Sequence, residues 1–117
     1  MDYKKLPKCP IETTLTMFNT RWSFLIVKEL LSGSKRFNQM KSTLKPITQK
    51  VLSTNLKNME AQGILVRNAS KNRVDYTLTD IGYSLACVLD AMNDWGCAYK
   101  EFVKLSQKKE KHTSHVS

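Results

Sequence analysis

Five residues of this 117-residue chain, Gln49, Lys50, Ser53, Thr54 and Lys57, combine cations with amide and hydroxyl groups at helical spacing. At about 100° per residue they share an arc of roughly 140°, while Leu52, Leu56 and Met59 fall within roughly 60° of one another on another side. One side packs and the other is left to the solvent. Cations, amides and hydroxyls on one helix face are the groups that reach phosphate oxygens and base edges in the major groove of duplex DNA. The arc holds no acid, whereas ordinary surface helices intersperse acids with bases; Glu60 lies near the far end of the helix. Thr48 sits where an N-cap hydroxyl belongs and joins the same candidate surface.

The net charge is +9, and its placement says more than its size. From Lys35 to Arg73 there are nine basic residues, Lys35, Arg36, Lys41, Lys45, Lys50, Lys57, Arg67, Lys71 and Arg73, against one acid, Glu60. Such a segment inside a foldable region attracts a polyanion and releases its counterions. Charge alone is also compatible with a solvated surface, and the helix geometry is what separates the two. Lys71, Asn72 and Arg73 lie in a turn between two strands, where a projecting loop would meet the DNA backbone or minor groove. Lys35 and Arg36 precede another helix start and are candidate phosphate clamps.

Other chemistries are poorly supplied. The histidines are His112 and His115, in a lysine-rich tail, and paired carboxylates, a glycine-rich phosphate loop and zinc-ligand spacing are all missing from the sequence. No catalytic residue, metal ligand or cofactor site is therefore expected, and the pair of histidines reads as solvated tail. No run of 18 apolar residues occurs, and Met1 to Pro10 lacks the apolar stretch of a secretion signal, so a cytoplasmic protein without a membrane partner is expected. Three cysteines at irregular spacing fit a reducing compartment. Cys87 and Cys97 lie about 15 Å apart along one helix and cannot pair with each other. Cys9 opens a helix beside Lys4, Lys5 and Lys8, the electropositive setting in which reactive cysteines occur, and is a redox-sensing candidate.

The elements that must position these groups follow from periodicity and punctuation. Pro10 begins a helix with Ile11, Leu15 and Phe18 at helical spacing; Asn19-Thr20 interrupts it. A second helix is predicted from about Arg21 to Leu31, its core face formed by Trp22, Leu25, Ile26 and Leu30, with Ser32-Gly33 as its stop. Phe37 to Leu44 forms a third, ended by Lys45-Pro46, and Thr48 caps a fourth that ends at about Gln62 before Gly63. Ile64 to Asn68 and Arg73 to Leu78 form a hairpin around a turn over Ala69 to Asn72. Thr79 then caps a last helix over 79–105, in which Ile81, Leu85, Val88, Met92, Trp95, Tyr99 and Phe102 step by four and three. That seam implies a partner helix, and Leu85, Val88, Met92, Trp95, Tyr99 and Phe102 are the predicted homodimer interface. The chain reads as one α+β domain over 1–117, with flexible ends at 1–8 and 106–117.

These residues form an ordered set: Cys9-Pro10, Arg21-Trp22, Gly33 with Lys35-Arg36-Phe37, Ile47 to Lys50, Val74 to Thr79 with Gly82, and Trp95. From about Cys9 to Trp95 the chain resembles the HxlR-type regulators. The resemblance implies a bacterial winged helix-turn-helix dimer, related to the MarR-like regulators, that binds DNA through the helix matched by Thr48 to Gln62. It also implies that a cysteine at the position of Cys9 senses oxidants or electrophiles in several members, sometimes through a disulfide to a cysteine of the partner subunit, for which Cys97 is a candidate. Two departures stand out: the hairpin lacks the prolines many relatives carry, and the fourth helix has no cysteine. The expected function is thus a homodimeric, sequence-specific regulator of transcription acting on a pseudo-palindromic operator in double-stranded DNA, with its effector open. The competing reading is a winged-helix module that docks protein partners without DNA specificity.

Overall fold

The computed structural model describes the backbone of residues 2–116 and the side chains of residues 2–109. After one 3-10 turn at Tyr3–Lys5, the chain forms α1 (Pro10–Met17), α2 (Arg21–Leu30), α3 (Phe37–Thr43), α4 (Gln49–Ala61), β1 (Leu65–Ser70), β2 (Arg73–Leu78), α5 (Asp80–Tyr83) and α6 (Ala86–Val116). The chain divides into two compact units, Met1–Ala86 and Cys87–Ser117, and all of α6 beyond Ala86 lies in the second.

The first unit is built on two helices that bury the same pattern. In α2 the buried residues are Ser23, Ile26, Val27 and Leu30, and in α4 they are Leu52, Asn55, Leu56 and Met59, spaced i, i+3, i+4 and i+7. The α2 face is turned from the predicted one: Trp22 and Leu25 are only half-buried. Trp22 instead carries the Arg21 guanidinium 4.3 Å above its ring, a contact that suits a position at the rim of the core. Between the two helices lies a polar lock that apolar periodicity does not reveal. Asn55 Oδ1 accepts from Thr20 Oγ1 at 2.9 Å and from Ser23 Oγ at 3.3 Å, while Asn55 Nδ2 donates to the Val51 carbonyl at 2.9 Å. Met40, Leu44, Ile47, Ile64, Leu65 and Leu78 close the core around α2 and α4. Of the α1 residues expected at helical spacing, Ile11 and Leu15 face outward, whereas Phe18 is buried and stacks on Phe24 at 4.8 Å.

Both ends of α4 are defined locally. Thr48 Oγ1 accepts from the Val51 N–H at 3.2 Å. At the other end Gly63 takes φ 79°, the Gly63 N–H donates to Glu60 O and the Ile64 N–H to Met59 O, each at 3.0 Å. That is a Schellman stop, which requires a left-handed residue where Gly63 stands.

The hairpin pairs Leu65 with Leu78, Arg67 with Tyr76, Ala69 with Val74 and Ser70 with Arg73. Its turn is therefore two residues, Lys71-Asn72, where four were predicted, because pairing continues through Ala69 and Ser70. A third segment joins the sheet: the Lys35 N–H donates to Tyr76 O at 3.1 Å and the Tyr76 N–H to Lys35 O at 2.8 Å. Alternation puts Leu65, Arg67 and Ala69 on one face with Leu78, Tyr76 and Val74. Leu65 and Leu78 root that face in the core. The other face carries the exposed Val66 and a polar group in which Asn68 Nδ2 donates to Asp75 Oδ1 and Thr77 Oγ1, both at 3.0 Å.

The predicted helix over 79–105 is broken at Ser84-Leu85. Thr79 Oγ1 accepts from the Gly82 N–H at 3.2 Å and lies 2.6 Å from Gly63 O and 3.0 Å from Ile64 O. Gly82 is pressed so closely on the Ile64 carbonyl that a Cβ would collide with it. This tight docking ends α5 after one turn, and the Leu85 N–H reverts to the Gly82 carbonyl three residues back. Ile81 accordingly belongs to α5 and leaves the seam, and Leu85 stands in the turn, half-buried. At its far end α6 continues to Val116, past Ser106 where the sequence predicted fraying, through Gln, Lys and Glu residues that favour helix. His112 and His115 lie outside the described side chains. Four helices carrying a paired hairpin, then a long C-terminal helix, make an α+β winged helix-turn-helix.

Candidate nucleic-acid interface

Because α4 buries Leu52, Asn55, Leu56 and Met59, its remaining positions are turned to solvent. Thr48, Gln49, Lys50, Thr54 and Lys57 are exposed and Ser53 is half-buried. The arc divides in two. Gln49, Ser53 and Lys57, at four-residue steps, line a cleft of about 510 Å³ whose opposite wall is Arg67 and Tyr76 of the hairpin. Thr48, Lys50 and Thr54 are exposed but do not line that cleft.

A second group gathers beside the turn end of β2. Lys35 and Arg36, from the turn between α2 and α3, line a smaller hollow with Gln39, Arg73 and Asp75. Arg36 is the residue before α3, and its N–H donates to Gln39 Oε1 at 2.8 Å. The Lys35 backbone is held by Tyr76, so the candidate clamps and Arg73 are brought together by the sheet rather than by sequence proximity. Lys71 and Asn72 are exposed at the hairpin tip and line neither hollow.

Two acids sit closer to this surface than the sequence implied. Glu60 continues the Gln49, Ser53, Lys57 row into the cleft, and its Oε2 accepts from the Arg67 N–H at 3.3 Å. Asp75 stands beside Arg73 and Lys35 in the smaller hollow. Arg67, Gln39, Glu60 and Asp75 were not among the site residues expected from the sequence, although Arg67 and Glu60 were counted in its charge. Alternation within β1 was the available signal for Arg67, since it places that residue on the same face as Leu65.

The remaining candidates do not line these hollows. Along α6, Val88, Met92, Trp95, Tyr99 and Phe102 are exposed, with Trp95 at 68%. The Trp95 and Tyr99 rings stack at 5.2 Å and 7°, and Tyr99 meets Phe102 at 6.0 Å. Cys9, Cys87 and Cys97 are exposed, and Cys9 is the N-cap residue of α1. Among the described residues no cluster could hold a metal ion, and no helix is long and apolar enough to cross a membrane.

The HxlR-like helix-turn-helix family pattern matches residues 17–104. The chain is 36% identical over 96 residues to YdeP of Bacillus subtilis (strain 168), an uncharacterized HTH-type transcriptional regulator, covering 80% of this chain and 75% of YdeP. Its fold is similar to that of quinone-bound YodB from B. subtilis, with a TM-score of 0.69 and 35% identity over 77% of this chain and 99% of that one. It is also similar to the redox regulator HypR in its oxidized form, with a TM-score of 0.72 and 32% identity over 77% of this chain and 96% of that one. Matched over most of its length, and to regulators rather than enzymes, the chain belongs to the HxlR-like helix-turn-helix family of transcriptional regulators.

Proposed function

We propose that the protein is a cytoplasmic homodimer that binds a pseudo-palindromic site in double-stranded DNA, with α4 entering the major groove and the Lys71-Asn72 turn reaching the adjacent backbone or minor groove. The observation that carries this reading is the outward face of α4, where Thr48, Gln49, Lys50, Ser53, Thr54 and Lys57 stand while its apolar face is buried. Lys35, Arg36 and Arg73, which share one hollow, would add phosphate contacts. Dimerisation is supported by the exposed stripe from Val88 to Phe102, whose aromatic rings are the kind of large apolar surface that interfaces bury. Two-fold symmetry would present two copies of α4 to related half-sites.

The test is a titration of the purified protein against DNA upstream of its own gene at several salt concentrations. Each phosphate contact contributes a slope of about −0.9 to log K against log salt. Lys50→Ala or Lys57→Ala should therefore weaken binding and flatten the slope by about 1.8 in a homodimer, which loses two contacts. Unchanged affinity and slope in both variants would refute the reading, and a clean dimer without DNA affinity would favour protein docking instead.

Cys9 adds a regulatory element to this reading. It is exposed at a helix start among lysines, and similar proteins are described as a redox regulator and as quinone-bound. Oxidation of Cys9, or its addition to an electrophile, would alter how the subunits are oriented and so the DNA affinity. In the disulfide form, Cys9 and Cys97 of the partner subunit would give two protons and two electrons to the oxidant.

A further inference from the structure

The cleft between α4 and the hairpin holds a cation that the DNA-binding reading does not yet use. If α4 lies in a major groove and the hairpin tip in the neighbouring minor groove, the phosphodiester strand that separates those grooves must pass between them. Arg67 faces that passage from the strand side, opposite Gln49, Ser53 and Lys57. We propose that Arg67 contacts this phosphodiester strand and that Glu60 is the positioning residue that holds β1 at the right angle for it. The proposal rests on the DNA-binding reading and extends it.

The backbone explains the part played by Glu60. The N–H and carbonyl of Tyr76 are both directed to Lys35. In an antiparallel ladder the pair Arg67 and Tyr76 is then a non-hydrogen-bonded one, so the Arg67 N–H points away from β2. On that side β1 is the edge of the sheet. The edge N–H is taken by Glu60 Oε2 at 3.3 Å, from the last turn of α4. The single acid between Lys35 and Arg73 is thus a tether between the groove-entering helix and the hairpin. It works against simple electrostatics, since a carboxylate beside a phosphate strand repels it. Arg67 is two residues beyond the buried Leu65, about 7 Å along a strand whose root is fixed in the core. Its guanidinium is carried on a held backbone rather than on a mobile loop.

Arg67→Ala, Glu60→Ala and Glu60→Gln would be titrated against the specific site and against unrelated DNA over a range of salt, beside the parent protein. Both positions are exposed, so the variants should unfold as the parent does. Arg67→Ala is expected to flatten the salt slope by about 0.9 per protomer and to lose about five-fold in affinity per contact at 0.15 M salt. Glu60→Ala is expected to bind the specific site more weakly although it has lost a negative charge, while its affinity for unrelated DNA is not reduced. Glu60→Gln keeps an oxygen that accepts from the Arg67 N–H and should retain the parent's specific affinity. A parent-like slope in Arg67→Ala, or equal tightening in Glu60→Ala and Glu60→Gln, would overturn the proposal while leaving the DNA-binding reading intact. Absence of salt-dependent binding by the parent itself would overturn both.

Discussion

Asn55→Ala is the perturbation that most directly ties the packing of this protein to its DNA-binding face. Asn55 is 9% exposed, on the inward side of α4 between Leu52 and Leu56. Truncation removes the acceptor of two hydroxyls and the donor to the Val51 carbonyl. These losses are unequal. The Val51 carbonyl lies within a helix and keeps its backbone partner. Thr20 is exposed and its hydroxyl can turn to water. Ser23 is 3% exposed and keeps only the Thr20 hydroxyl, 3.1 Å away. About 1–2 kcal/mol is therefore expected from hydrogen bonding, and about 1 kcal/mol more from the space left by the amide. A loss of about 2–3 kcal/mol corresponds to roughly 10–20 °C in Tm for a unit of this size. Urea unfolding at one fixed protomer concentration measures it, because association would otherwise shift the result. A double-mutant cycle with Ser23→Ala should give a coupling of at least about 0.5 kcal/mol. Since the lock joins α2 to α4, operator affinity should fall further than the unfolded fraction explains. An Asn55→Ala protein within about 0.5 kcal/mol of the parent, as a surface substitution would be, would refute the reasoning.

Gly82→Ala drives a Cβ into the Ile64 carbonyl and should cost about 1–3 kcal/mol, read as a fall in Tm; an unchanged Tm would mean that this junction yields freely. Trp95→Ala should weaken self-association by roughly 30-fold if Trp95 anchors the seam, measured by sedimentation over a dilution series, and parent-like dissociation would exclude it from the interface. Cys9→Ser should keep the DNA affinity of the reduced parent and lose its response to oxidants and quinones; a retained response would place sensing at another residue.

Much of the helical body was legible because its signals are local. Helical periodicity sorted Leu52, Leu56 and Met59 from Gln49, Lys50 and Lys57 without reference to any other element. Gly63 and Thr48 marked the ends of α4 because caps act within one turn. The inward face of α2 was turned from the expected one because Ser23 counts as polar in a pattern search, yet here it is satisfied by Asn55, thirty-two residues away. The break at Ser84-Leu85 was likewise invisible, since Gly82 is required by the approach of Ile64 and not by its own backbone angle.

From the chain alone came which helix turns a cationic, amide-bearing side to solvent, that a hairpin follows it, and that an apolar seam runs along the C-terminal helix. Those are properties of order and spacing, carried by residues within a few turns of one another. Only the tertiary structure decided that the Lys35 backbone joins the hairpin, that Arg67 faces α4 across a cleft, and that Glu60 is spent on an edge N–H. Each depends on strand register and on how a sheet edge meets a helix, and these follow from hydrogen bonds between different elements, which the periodicity within any one element does not report.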